Sequence, residues 1–435
     1  MQKINFFEKF SIIALFLVLI GGSAFAQDTD ALGTYTPYSL FGVGELDKAG
    51  TSFNKGMGGV GIGVRDNRYI NYLNPASITA RDTLSFMLDF GLNQKNFYST
   101  DGDLNSAFNT TNMQNIMFTA PIYRKSAFIV GITPYSNIGY KFRKNETDVE
   151  TIAKYGDIAY EKYGNGSINQ FFFGAATNIG DHFSVGAEMH YYFGKLTRNS
   201  NVEFVTDFSM RDIKTGWDYK VNAMSGRAGV QYFNNVGNGI ELTAGATYRF
   251  ATDLKGNYSR FVKAVSKSNK IDTIKIESTP GYKVEIPSEL GLGFTLRKAD
   301  KWMVGFDYLM QDWNGSHFGE TAGVDFEATT SNSFKLGFEY IPNRYDIRYY
   351  LKRVTYRFGA YYDQTYLNIG GNQVNAAGIT FGMSMPVFRL YNAITWSVDF
   401  GQRGSLENNM VRERYIQFNF NLNLHDLWFI KRKYN

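Results

Sequence analysis

The chain has 435 residues, no cysteine and a formal net charge of +5 spread along its length. Disulfides, thiolate metal sites and cysteine nucleophiles are therefore excluded, and nothing points to a nucleic-acid partner. Aromatic residues make up 17 % of the chain, with 37 Phe, 30 Tyr and 44 Gly against 8 Pro, which is too aromatic and glycine-rich for an ordinary soluble enzyme.

The first residues read as a secretory signal. Lys3 and Lys9 give a basic start, Phe10 to Ile20 an apolar run, and Ala24-Phe25-Ala26 an A-x-A site. Residues 1–26 are expected to be removed before Gln27. The run is short for a membrane anchor, and Gln27 offers no cysteine for lipidation. Beyond Ile20 no apolar run is long enough for a membrane-spanning helix.

From Gln27 to Thr83 the pattern is irregular; thereafter alternation hardly stops. In the last segment, Ile416, Phe418, Phe420, Leu422 and Leu424 fall on one face and Gln417, Asn419, Asn421 and Asn423 on the other. Phe183, Val185, Ala187 and Met189 likewise oppose Ser184, Gly186, Glu188 and His190, and Trp302, Val304, Phe306 and Tyr308 oppose Gly305 and Asp307. A soluble sandwich would bury such faces too, but about fourteen repeats at membrane-spanning length favour a barrel in lipid. Their centres lie near Met87, Phe118, Gly131, Phe173, Ala187, Ala228, Ala244, Gly291, Phe306, Gly337, Phe358, Phe381, Trp396 and Phe420.

The connections alternate as well. Short turns such as Ile179-Gly180-Asp181 follow even segments, and long polar stretches, roughly 92–112, 136–166, 196–220, 251–284, 314–331, 364–375 and 403–413, follow odd ones and are expected as external loops. The link from Pro342 to Lys352 is longer than a tight turn. The fold expected is all-β: a transmembrane antiparallel barrel of about fourteen strands over 84–435, in the outer membrane. Such a barrel encloses more space than its wall side chains fill, so residues 27–83 are expected to form a hatch or plug in the lumen.

Gly56-Met57-Gly58-Gly59-Val60-Gly61 matches G-x-G-x-x-G. A dinucleotide site needs a strand before it and a helix after it, and the following GVRDNRYINYLNP offers neither; close packing of plug backbone is the better reading. The stretch GMGGVGIGVRDN followed by Asn74-Pro75-Ala76 resembles the hatch of the FadL-type long-chain fatty-acid transporters, whose plug carries an NPA motif. Ile286 to Asn314, with its aspartate-aromatic step and closing Trp313, and Tyr356 to Gln364 are similar to further stretches of that family.

That resemblance implies a fourteen-stranded barrel that carries hydrophobic molecules passively, past a hatch at Asn74, Pro75 and Ala76. It also implies a kink in the third strand that opens a lateral gap in the wall. Gly131 and Pro134 are the candidates here, since proline removes a ladder donor and glycine in a strand marks bends. The chain departs from the family where HDLWFIKRKYN follows the last strand, with Trp428 and Phe429 as interface anchors, and in the 27–55 segment.

No catalytic residue, metal site or cofactor is expected. His182, His190, His317 and His425 are scattered, no HExxH, GxSxG or EF-hand spacing occurs, and His190 beside Glu188 reads as polar lumen lining. The expected partners are membrane lipid, lipopolysaccharide and a hydrophobic small molecule. The alternative is a non-transporting adaptor on the same barrel, holding an exported protein.

Overall fold

The computed structural model describes residues 32–427 apart from 82–84, 103, 124, 208, 269, 317, 319–324 and 388–391. The signal expected at 1–26, His317 and the anchors Trp428 and Phe429 lie outside the described residues.

The alternating segments become strands because lipid offers no partner for backbone N–H and C=O, so each must pair with its neighbour. The barrel strands are β1 Ser85–Asp101, β2 Leu104–Tyr123, β3 Ser126–Asn145, β4 Ile158–Ile179, β5 Phe183–Phe204 and β6 Asp212–Asn235. β7 is broken into Ile240–Arg249 and Thr252–Val265, and β8 into Ile271–Ile286 and Glu289–Lys298. β9 Trp302–Gln311, β10 Ser331–Tyr340, β11 Thr355–Ile369, β12 Asn372–Pro386, β13 Ala393–Arg403 and β14 Arg412–Leu427 follow. Consecutive strands pair antiparallel, and β14 returns to β1 from Leu427–Ser85 to Arg412–Thr100. The barrel is closed, with fourteen strands.

The faces fall as the alternation predicts. Phe183 and Met189 of β5 are exposed outward, while Ser184, Glu188 and His190 are buried inward. Asn419, Asn421 and Asn423 of β14 are buried in the lumen, and Phe418 faces out.

The expected external loops need correction. At 92–112 the ladder simply continues, and β1 and β2 meet in a tight hairpin after Asp101. Much of 136–166, 196–220, 251–284 and 364–375 is likewise paired strand. What remains unpaired there is short, such as 146–157 with its helix α2, Val149–Tyr155. The physical reason is that beyond the bilayer both faces of a strand meet water. Pairing persists there without an apolar face, so no alternation marks it. We call this the far end; the near end is where β1 begins and β14 ends.

Residues 33–81 touch strands all round the barrel. Gly58 lies against Ala360 of β11 and Leu336 of β10, Gly63 against Phe294 of β8, Gly56 against Gly382 of β12, and Pro75 against Gly186 of β5 and Gly229 of β6. Their regular structure is slight: a short strand Glu45–Leu46, one helical turn α1, Ser52–Lys55, and 3-10 turns at Pro37–Leu40 and Pro75–Ala80.

Candidate functional site

β2 and β3 pair only from Tyr123–Ser126 to Ile116–Ile132. Toward the far end β3 keeps β4 on its other side as far as Asn145, and β2 keeps β1 as far as Leu104. The N-terminal segment takes up the facing edges. Thr36 N–H donates to Gly139 O at 3.0 Å and Asp47 N–H to Tyr135 O at 2.9 Å, while Glu45 and Leu46 stand in antiparallel register with Asn137 and Ser136. On the β2 side, Asn112 Nδ2 donates to Gly33 O at 2.7 Å and Gln114 Nε2 to Gly50 O at 2.9 Å. Tyr35 stacks on Phe108 with centroids 4.4 Å apart. Residues 33–50 thus stand in a seam where strand-to-strand pairing is missing.

Pro134 lies at the edge of this seam, two residues past Ile132, where the register with β4 shifts between Pro134 and Ser136. Tyr135 turns its carbonyl to the seam. Gly131 lies inside the paired part. A Cβ there would stand 2.7 Å from Phe172 Cζ and 2.9 Å from Met117 Cγ, so this glycine makes room for a buried lumen cluster.

The segment in the seam also fills the far half of the lumen. Tyr38, Phe41 and Val43 join a buried cluster with Tyr135 and Ile138 of β3, Tyr192 of β5, Trp313 and Tyr366. Trp313 stacks on Tyr366 at 4.5 Å and donates its indole N–H to Gln311 Oε1 at 2.8 Å. Next to this cluster is a chamber of about 210 Å³, bordered by Glu45, Asp47, Lys48, Lys335, Asp363 and Asp399. A smaller void of about 90 Å³ reaches Pro134 and Tyr135.

Charged side chains fasten the segment across the lumen. Glu45 accepts from Lys95 Nζ at 2.6 Å and Arg403 Nη2 at 2.7 Å. Lys48 donates to Asp399 at 2.8 Å and Tyr415 at 2.9 Å, with Nζ 3.4 Å from the Tyr361 ring centre. Elsewhere, Arg68 bridges Asp66 and Glu339, both at 2.5 Å, and Arg357 meets Glu339 at 2.9 Å. Burial works to raise the Asp66 carboxyl, but the Arg297 and Arg68 guanidiniums outweigh it and hold it well below the usual range. Burial pushes the Asp47 carboxyl up and the Lys55 ammonium down, despite their contact at 3.8 Å.

Asn74, Pro75 and Ala76 sit against β5 and β6. Asn74 accepts from Ala76 N at 3.0 Å, capping the Pro75–Ala80 turn, and donates from Nδ2 to Ile62 O at 2.9 Å and Val230 O at 3.2 Å. Gly229 and Gly186 leave it space, since a Cβ on either would come within 2.6 Å of Asn74 or Pro75. The G-x-G-x-x-G stretch packs backbone on backbone. Gly58, at φ +69°, has no room for a side chain beside Ala360 O and Leu336 O.

Two residues matter more than their sequence context disclosed. Asp307 lies inside the quoted aspartate-aromatic step, and its Oδ2 accepts from Gly61 N at 2.6 Å and Ile62 N at 2.8 Å. Asn421, one of the alternating amides of β14, accepts from Ser52 N at 3.0 Å at the start of α1. His190 Nε2 lies 3.3 Å from Glu188 Oε2, both wholly buried.

The sequence profile of the family described as BamG matches residues 8–435. No curated protein matches the chain. Among solved structures, the Pseudomonas putida toluene transporter TodX superposes with a TM-score of 0.59 at 15 % identity, over 88 % of this chain and 100 % of its own. The CymD monoaromatic hydrocarbon channel gives 0.58 at 16 % identity, over 86 % and 96 %. A Pseudomonas aeruginosa FadL homologue gives 0.58 at 12 % identity, over 88 % and 100 %. At such identities the likeness is one of fold. With the profile matched over nearly its whole length and this barrel in common with those channels, the chain belongs to the BamG family and has the FadL-type outer-membrane barrel fold.

Proposed function

We propose that this protein is a passive outer-membrane channel for hydrophobic molecules, long-chain fatty acids among them, held closed by its own N-terminal segment. Residues 27–83 act as the hatch, and the seam between β2 and β3 is the lateral exit. One observation carries the reading. The segment whose backbone fills the seam at Thr36 and Glu45–Asp47 also fills the apolar far half of the lumen with Tyr38, Phe41 and Val43. Displacing it frees an apolar site and a way into the bilayer together. Sideways exit suits such cargo, because each CH₂ returned to water costs about 0.8 kcal/mol. The similar structures are themselves a toluene transporter and a monoaromatic hydrocarbon channel, which supports the substrate class.

A second reading is favoured by the chamber. Glu45, Asp47, Lys48 and Asp399 border it among apolar residues such as Leu46 and Leu309, and the segment is fastened by ion pairs. A barrel sealed in this way suits a non-transporting adaptor for an exported protein. The deciding experiment is uptake of labelled oleate and toluene by cells with and without the protein, with unlabelled hydrocarbons as competitors. Saturable, protein-dependent uptake supports the channel. No uptake by a barrel verified as folded, together with co-purification of an exported protein, moves the function to the adaptor.

A further inference from the structure

The near end of the barrel is the periplasmic one in an outer-membrane protein whose strand number is even and whose chain enters from the periplasm. Most turns there are tight and polar. The connection between β10 and β11, residues 341–354, is different. Ile347 is 100 % exposed and Leu351 70 %, and Tyr345 and Tyr349 are exposed beside them. An isoleucine wholly in water is an unusual choice for a periplasmic turn.

This connection is nevertheless built. Asn343 N–H donates to Lys352 O at 2.8 Å, closing its base. Asp346 Oδ1 accepts from Arg348 N at 2.9 Å and Tyr349 N at 2.7 Å, which turns the chain at its tip. Tyr345 OH donates to Asp300 at 3.0 Å. Two bonds tie the connection to the wall: Tyr350 OH to Pro386 O at 3.0 Å and Tyr356 OH to Leu351 O at 3.1 Å. The wall beside it, at Phe338, Tyr340 and Phe358, is the exposed apolar belt that faces lipid.

Charge completes the pattern. Arg344, Arg348, Lys352 and Arg353 stand against Asp346 alone within the connection. Arg344 is paired with Asp300, and Lys352 meets Asp346 at 3.5 Å with half of its side chain still exposed, while among the described residues Arg348 has no acidic partner. Exposed aliphatic side chains, tyrosines and basic groups gathered in one connection beside a lipid-facing wall are the chemistry of a membrane surface carrying anionic headgroups.

We propose that residues 341–354 form an anchor in the periplasmic leaflet of the outer membrane. Ile347 and Leu351 enter the acyl region, and Arg348 and Lys352 bind the phosphates of an anionic phospholipid. The anchor sets the depth and tilt of the barrel beside β10–β12 independently of what passes through the lumen.

Because the chain has no native cysteine, Ile347→Cys and Leu351→Cys each carry one environment-sensitive fluorophore in nanodiscs. Lipids with a doxyl quencher near the headgroup are then compared with unlabelled ones, and Asp181→Cys, on an exposed turn at the same end, is the aqueous control. Quenching at 347 and 351 is expected to be severalfold that at 181. It should be stronger with phosphatidylglycerol than with phosphatidylcholine alone. The double variant Arg348→Glu/Lys352→Glu removes that preference, each basic group being worth about fivefold in partitioning to an anionic surface. Quenching at 347 no greater than at 181 overturns the proposal. So does a fluorophore that stays in water in nanodiscs but is shielded in whole outer membranes, which would assign the patch to a periplasmic protein instead.

Discussion

Leu46 and Ser136 face each other across the stretch where β2 and β3 do not pair. Asp47 N–H donates to Tyr135 O, so that neighbouring position is a hydrogen-bonded pair and the Leu46–Ser136 position is a non-hydrogen-bonded one. Its Cα atoms are therefore about 4.5 Å apart, within the range that a disulfide spans.

Leu46→Cys combined with Ser136→Cys gives a reversible lock on the seam in a chain that otherwise has no thiol. Under oxidising conditions uptake of hydrophobic cargo is expected to fall to the level of cells lacking the protein, and reductant is expected to restore it. The folded, heat-modifiable gel band should be unchanged in both states. Full uptake through the oxidised barrel would remove the seam from the route.

Phe41 is the side chain to shorten. It is buried in the far-half cluster and its ring lies 5.2 Å from that of Phe326. Phe41→Ala leaves a cavity and weakens the segment's hold by about 3–5 kcal/mol, about as much as the seam's few backbone hydrogen bonds return at about 1 kcal/mol each. The purified variant is expected to bind an apolar fluorescent dye that the parent excludes, and to raise uptake in cells. A variant as dark as the parent means that Phe41 holds no ligand space.

The sequence carried the wall and its direction but little of the seam. β14 was legible because Phe418 and Phe420 must face lipid while Asn419 and Asn421 face the lumen, and lipid punishes any error in that alternation. The far halves of β1 and β2 were not, since residues such as Asn105, Ser106 and Thr111 meet water and carry no period although they pair. Pro134 marked an irregularity in β3. That Leu46 would stand opposite Ser136 is a contact between residues ninety positions apart, which no local pattern encodes. Asp307 stood within a recognised motif, yet its role depends on Gly61 and Ile62 from a distant part of the chain.

Asp307 supplies a test of how the N-terminal segment is held. Asp307→Ala leaves the Gly61 and Ile62 N–H groups buried without their acceptor, at about 1–3 kcal/mol each. Hydrogen exchange at residues 58–64 is expected to rise by one to two orders of magnitude while the wall strands stay protected. Asp307→Asn keeps an acceptor oxygen and should recover much of the protection. Unchanged exchange in Asp307→Ala would mean that the glycine packing alone fixes this stretch.

Glu339 receives two guanidiniums, Arg68 from the N-terminal segment at 2.5 Å and Arg357 from β11 at 2.9 Å, and all three are buried. Arg68 keeps Asp66 if Glu339 is lost, but among the described residues Arg357 has no second carboxylate and keeps its hydrogen bond to Ser384 Oγ at 2.6 Å. Glu339→Ala therefore leaves a buried cation uncompensated, which costs about 3–5 kcal/mol. The folded band is expected to disappear at a distinctly lower temperature in this variant. Glu339→Ala combined with Arg357→Met removes the stranded charge and replaces it with an unbranched apolar side chain against Phe53 and Tyr69, whose rings Arg357 now covers at 4.6 and 4.8 Å. The double variant should recover most of the loss. Equal destabilisation of the single and double variants would locate the contribution in the stacked guanidinium, not in the ion pair.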